Sequence, residues 1–89
     1  MNLVNYMEEA ALRSLDEILR EPAYAGYKPN EKEMLDVLAI ALNRLPPRYI
    51  VTERGHLFTR VDELRQQFKT DLLVELAKAI DQVRKNPRG

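Results

Sequence analysis

The sequence predicts a mainly α domain of about three to four helices, with one short β-strand or hairpin after a Pro46-Pro47 helix stop. Three observations predict it. Apolar residues recur at three- and four-residue steps at both ends of the chain, the spacing of a helix face. Between them, Val37 to Leu42 is apolar without interruption. Immediately after the two prolines, Tyr49-Ile50-Val51-Thr52 is β-branched and aromatic, a composition that suits a strand. At 89 residues the chain reads as a single domain, 1–89. So short a chain buries a smaller share of its surface than an average domain, and a dimer is a natural way to complete its core.

The first segment, Asn2 to Arg20, reads as a helix. Val4, Met7, Ala11, Leu15 and Ile18 form its stripe, and Leu3, Leu12 and Leu19 widen it. Glu8, Glu9, Asp16 and Glu17 fall largely on the other side, and Pro22 ends the segment. Residues 21–30 hold two prolines and a glycine and read as a loop, with Tyr24 and Tyr27 packing over the core rim.

Asn30-Glu31-Lys32-Glu33 has the pattern of a capping box, in which Asn30 accepts from a free amide and Glu33 reaches back. The second helix runs from about Glu31 to Arg44. Its stretch Val37 to Leu42 is apolar all round, so neighbours are expected on most sides. Asp36 and Asn43 share one stripe of this helix and need polar partners, expected from the adjoining backbone.

Pro46 and Pro47 stop the helix because neither donates the amide that the ladder requires. Glu53-Arg54-Gly55 supplies a turn after the strand, and His56-Leu57-Phe58 has the character to pair back as a hairpin. An isolated hairpin is marginal in water. Either helices cover the strand, or it pairs with the same strand of a second copy, the favoured expectation, since a symmetric dimer also hides the apolar second helix. Thr59 is the expected cap of one last helix to about Arg84, with Leu64, Phe68, Leu72, Leu76, Ile80 and Val83 along its stripe. Arg84 and Lys85 stand near its C-terminus, where positive charge is favoured.

Composition excludes several function classes. There is no cysteine, so disulfides, thiol chemistry and cysteine-ligated zinc are out. A single histidine, His56, leaves no ordinary metal site, and no cofactor is expected. Ser14 stands inside a helical pattern rather than on a nucleophile elbow, and the three glycines are scattered rather than gathered in a phosphate loop. No enzyme activity is expected. Fourteen acids balance fourteen bases, which argues against nucleic acid as partner. The acidic N-terminus reads as lacking a signal peptide, and the longest apolar run is far too short to cross a membrane. The protein is expected in the cytoplasm.

What remains is a binding site. Residues 44–60 bring together Arg44, Arg48, Tyr49, Thr52, Arg54 and Arg60. Arginine offers a planar fork to phosphate and stacks on bases, and tyrosine adds a face and a hydroxyl. The mixture suits a phosphorylated aromatic ligand such as a nucleotide, and an acidic protein surface nearly as well.

The run from Asp36 to Gly55, with Ala41-Leu42-Asn43-Arg44-Leu45-Pro46-Pro47 and Tyr49 as its most specific part, resembles the core of the late competence development protein ComFB family. Leu3 to Glu9 is similar to the family's start, and Thr70 to Ile80 to its closing helix. The resemblance implies a small, mostly helical homodimer without enzyme activity. Some members carry a zinc-binding cysteine cluster before the second helix; the matching loop here, Tyr24 to Asn30, has no cysteine, and that feature is not carried over. Members in some bacteria are receptors for cyclic di-GMP. The resemblance thus implies a cyclic dinucleotide receptor acting on an effector protein of motility, attachment or competence. The alternative is a ligand-independent adaptor of the late competence pathway.

Overall fold

The computed structural model describes residues 1–52 and 57–85. In chain order these form β1 (Asn2–Asn5), α1 (Tyr6–Leu19), a 3-10 turn (Pro22–Tyr24), α2 (Glu31–Leu42), β2 (Tyr49–Thr52), α3 (Leu57–Gln67) and α4 (Lys69–Lys85). The mainly helical class with a short β element is as expected. Three boundaries differ from the sequence reading, each for an identifiable reason.

The first helix begins at Tyr6, because Asn5 caps it. The Asn5 side chain accepts from the Met7 amide at 3.2 Å, in the extended conformation typical of a cap. The same oxygen accepts from the Arg48 amide at 2.8 Å, and the Tyr6 amide donates to the Arg48 carbonyl at 2.8 Å. Residues 2–5 are thereby drawn beside β2 as an antiparallel strand, with Leu3 opposite Val51 and Asn5 opposite Tyr49. β2 pairs within the chain. β1 occupies one edge of β2, and the expected pairing with a second copy would use the other. The hairpin is corrected: Leu57 and Phe58 belong to α3, and His56 lies outside the described residues. Alternation turns Val4 and Ile50 toward the helices and leaves Leu3, Tyr49 and Val51 outside, at 71%, 63% and 63% exposure.

The capping box of α2 forms as read: the Glu33 amide donates to Asn30 at 2.8 Å and the Asn30 amide to Glu33 at 3.3 Å. Coverage of α2 is less than expected. Val37 and Ala41 are buried, whereas Ala39 is exposed and Leu35 is 58% exposed. Asp36 finds a local partner in Lys32, at 3.2 Å, and Asn43 is the exposed C-cap, so the two polar residues serve the helix separately.

The last helix is two. α3 starts at Leu57, which places Thr59 inside its first turn, and the helix is interrupted at Phe68. No proline or glycine marks the interruption. The Phe68 amide still donates to Leu64 at 2.9 Å, and the Leu72 amide to Phe68 at 2.8 Å. The stripe stays in phase while its two halves serve different neighbours: α3 packs along α1, and α4 packs chiefly on α2 and also on α1. The core lies where these meet, built on Tyr6, Met7, Leu15, Val37, Val61, Leu72, Leu76 and Ile80. Among the described residues no helix is long and apolar enough to cross a membrane.

Candidate functional site

Four of the candidate residues, Arg44, Arg48, Tyr49 and Thr52, lie between the end of α2 and the end of β2. Pro46 and Pro47 force the chain out of α2, and Leu45, 5% exposed, plugs the junction into the core. Arg44 and Arg48 flank the prolines, and both are exposed. Residues 44–52 contain no acid, so nothing in this stretch opposes the positive field of the two arginines.

Arg48 is held on every side that matters. Its amide and carbonyl are fixed by Asn5 and Tyr6. Its guanidinium lies over the Phe68 ring, 4.8 Å from the centroid, and one terminal nitrogen approaches the Pro47 carbonyl at 3.4 Å. A cation over an aromatic face at this separation is attracted by the ring quadrupole. The group is therefore positioned before any ligand arrives, with fork nitrogens still facing solvent.

The strand alternation divides the remaining candidates. Thr52, half-buried at the end of β2, shares the Arg48 side of the strand. Tyr49 projects from the opposite, outer face beside Leu3 and Val51. Arg60 is exposed in α3, one position before the buried Val61. Arg54 lies outside the described residues. Sequence reasoning missed two members of this site. Phe68 fits the core stripe, and Asn5 falls within the helical pattern, so neither stands out in the sequence. Among the described residues, no group of three or more acids and histidines is arranged to hold a metal ion.

The family model of late competence development protein ComFB matches residues 4–87. The chain belongs to the ComFB family. Its fold is similar to that in "Structural characterization of the late competence protein ComFB from Bacillus subtilis", with a TM-score of 0.73 and 27% sequence identity, over 98% of this chain and 93% of that one. A comparison with curated proteins gives no match. The family match takes in α1 through α4 and both sides of the Pro46-Pro47 junction, so the arginine-flanked turn is part of the shared fold rather than an appendage to it.

Proposed function

We infer that this ComFB-family chain is a non-enzymatic receptor for a cyclic dinucleotide, most simply cyclic di-GMP, and that its site is the turn between α2 and β2. The observation that carries the reading is Arg48, stacked on Phe68 and anchored through its backbone, with Arg44 across the two prolines. Its fork takes a phosphate oxygen, and the guanidinium face away from Phe68 takes a guanine. Arg44, and Arg54 and Arg60 beyond the strand, add charge for the second phosphate; Thr52 adds a hydroxyl.

The receptor acts as a homodimer. The outer side of α2 supports that reading: Leu38 and Leu42 pack at the edge of the core, while Leu35 and Ala39, at the i, i+3, i+4, i+7 spacing of a helix-packing seam with them, remain exposed. Tyr49 then stands on a surface open to effector or ligand. The adaptor reading has its own supporting observation in the outer sheet face: Leu3, Tyr49 and Val51 make an apolar patch that needs no nucleotide to bind a protein.

Isothermal titration calorimetry with cyclic di-GMP, and with cyclic di-AMP and GTP as controls, separates the readings. Saturable, selective binding is expected. Arg48→Ala removes a charge-assisted bond of roughly 1.5–3 kcal/mol, so affinity is expected to fall by about tenfold or more. Absence of binding by the parent protein, or equal binding by Arg48→Ala at unchanged melting temperature, rejects the receptor and favours the adaptor.

A further inference from the structure

The sheet has an open edge beside the arginine turn. The Tyr6 amide donates to the Arg48 carbonyl, and the register sets Val4 opposite Ile50 and Asn2 opposite Thr52. In an antiparallel ladder, hydrogen-bonded pairs recur at every second residue. The main-chain groups of Arg48, Ile50 and Thr52 therefore face β1, and those of Tyr49 and Val51 face the other way. These two amides and two carbonyls have no partner among the described residues, and both residues are 63% exposed. Such an edge is a template for a further strand. The far edge of β1 offers less, since only Leu3 presents both groups there before Asn5 caps α1.

The edge of β2 is complementary to itself. A two-fold axis at Ile50 sets Tyr49 of each copy opposite Val51 of the other, and all four edge groups of each copy are then satisfied. On the outer face each tyrosine meets a β-branched valine, a favourable cross-strand pair, and the Leu3-Val51 rows of the two copies join. β2 contains no charged residue, so no like charges meet along the seam. The register is also selected. With the axis moved to Tyr49, Val51 faces Pro47, which has no amide, and the Val51 carbonyl of each copy is left unpaired.

This register reaches the arginine turn. Arg48 directly precedes β2 and lies opposite the partner's Thr52. The two share the inner face in a non-hydrogen-bonded pair, where opposing side chains come closest. Within one chain Thr52 is four residues farther along the strand, about 13 Å away.

We propose that β2 of a second copy pairs with β2 at this edge, with Tyr49 opposite Val51, and that the arginine turn is thereby a shared site in which Arg48 of one copy works beside the partner's Thr52. The proposal rests on the homodimer and the nucleotide site inferred above. It names where the copies join at the sheet and which residue the second copy supplies.

The chain has no cysteine, so engineered thiols report the register without background. Tyr49→Cys and Val51→Cys, both at exposed positions, are expressed singly and together and then oxidised. Opposed Cα atoms lie ~5.5 Å apart in this register, within disulfide reach, whereas like positions lie beyond the limit of about 7 Å. A disulfide-linked dimer is expected only when the two are together, and circular dichroism melting of the reduced proteins verifies the fold. No mixed disulfide, or equal linkage of either variant alone, would overturn the pairing. Sedimentation velocity of the parent keeps the readings apart: a dimer without the mixed disulfide overturns the sheet pairing and leaves the homodimer, and a monomer overturns both. The shared site is tested by calorimetry on the linked dimer with Arg48→Ala in one copy and Thr52→Val in the other. One site then loses both residues and the other keeps both, so cyclic di-GMP should bind with half the stoichiometry and the full affinity of the linked dimer without these substitutions. Weakened binding at both sites would overturn the sharing. No binding by the parent rejects the receptor reading and with it the shared site, while the disulfide still decides the pairing.

Discussion

Asn5→Ala tests the account of how the site is assembled. One side-chain oxygen serves two amides, capping α1 through Met7 and fastening Arg48 from forty-three positions away. Loss of an N-cap costs about 1 kcal/mol. Loss of the second bond costs a further ~1 kcal/mol, without a larger penalty because the Arg48 amide becomes accessible to water. The expected destabilisation is about 2 kcal/mol, and for a domain of this size the melting temperature should fall by roughly 8–16 °C. Asn5→Asp keeps an acceptor for both amides and ranks with asparagine as a cap, so it should stay within about 0.5 kcal/mol of the parent. The assay is denaturant and thermal unfolding followed by circular dichroism at one fixed protein concentration, since the stability of the proposed homodimer would depend on it. If alanine costs less than about 0.5 kcal/mol, or aspartate is as harmful as alanine, then Asn5 is not the clamp described here.

Three further outcomes are expected. In a double-mutant cycle of Arg48→Ala and Phe68→Leu on nucleotide affinity, the coupling should be about 0.5–1 kcal/mol, and additive effects would show that the stack does not organise the site. Burial raises the pKa of the Tyr27 hydroxyl, the Glu33 carboxylate adds to this, and Arg84, 5.0 Å from the ring centre, opposes it. The neutral form is therefore favoured by folding, and its contribution to stability is complete below the unfolded value near 10 and falls as pH rises toward the folded value. Tyr27→Phe removes a buried hydroxyl without a partner among the described residues, so it should melt no lower than the parent at pH 7 and lose less stability on alkaline titration; a clear loss at pH 7 would mean that the hydroxyl has a partner. On the proposed homodimer, Leu35→Glu, at an exposed position of α2, should convert dimer to monomer in sedimentation velocity with the helical content unchanged; an unaltered dimer would place the interface elsewhere, and a monomeric parent would refute the homodimer.

The elements that the sequence made legible are those whose causes are local. The capping box at Asn30, the stop at Pro46-Pro47 and the strand Tyr49–Thr52 each follow from a few adjacent residues, and each stands where those residues place it. The interruption at Phe68 has no such cause. Val61, Leu64, Phe68, Leu72 and Leu76 keep helical spacing straight through it, so periodicity alone describes one helix. What divides the two halves is which helix lies opposite, a fact of tertiary packing. The arginines of the site were visible for the same local reason, since their chemistry belongs to the residue type. The ring that holds Arg48 was not, because Phe68 satisfies the core pattern equally well.

The start of α1 is the instructive case, because there a local signal existed and competed with another. Leu3 and Val4 fit the helical stripe of the residues that follow, and period alone extends the helix back to Asn2. Yet Asn5-Tyr6-Met7-Glu8 repeats the asparagine-to-glutamate spacing of Asn30-Glu31-Lys32-Glu33, the signature that correctly located α2. Taken as a cap, Asn5 ends the helix at Tyr6 and frees Leu3 and Val4 to alternate, one outward and one inward, as they do in β1. A short apolar run before a cap satisfies both periods, and the cap is what decides between them. The boundary matters for the proposed site, since a position outside the helix is what lets the Asn5 side chain reach the Arg48 amide and hold the turn between α2 and β2.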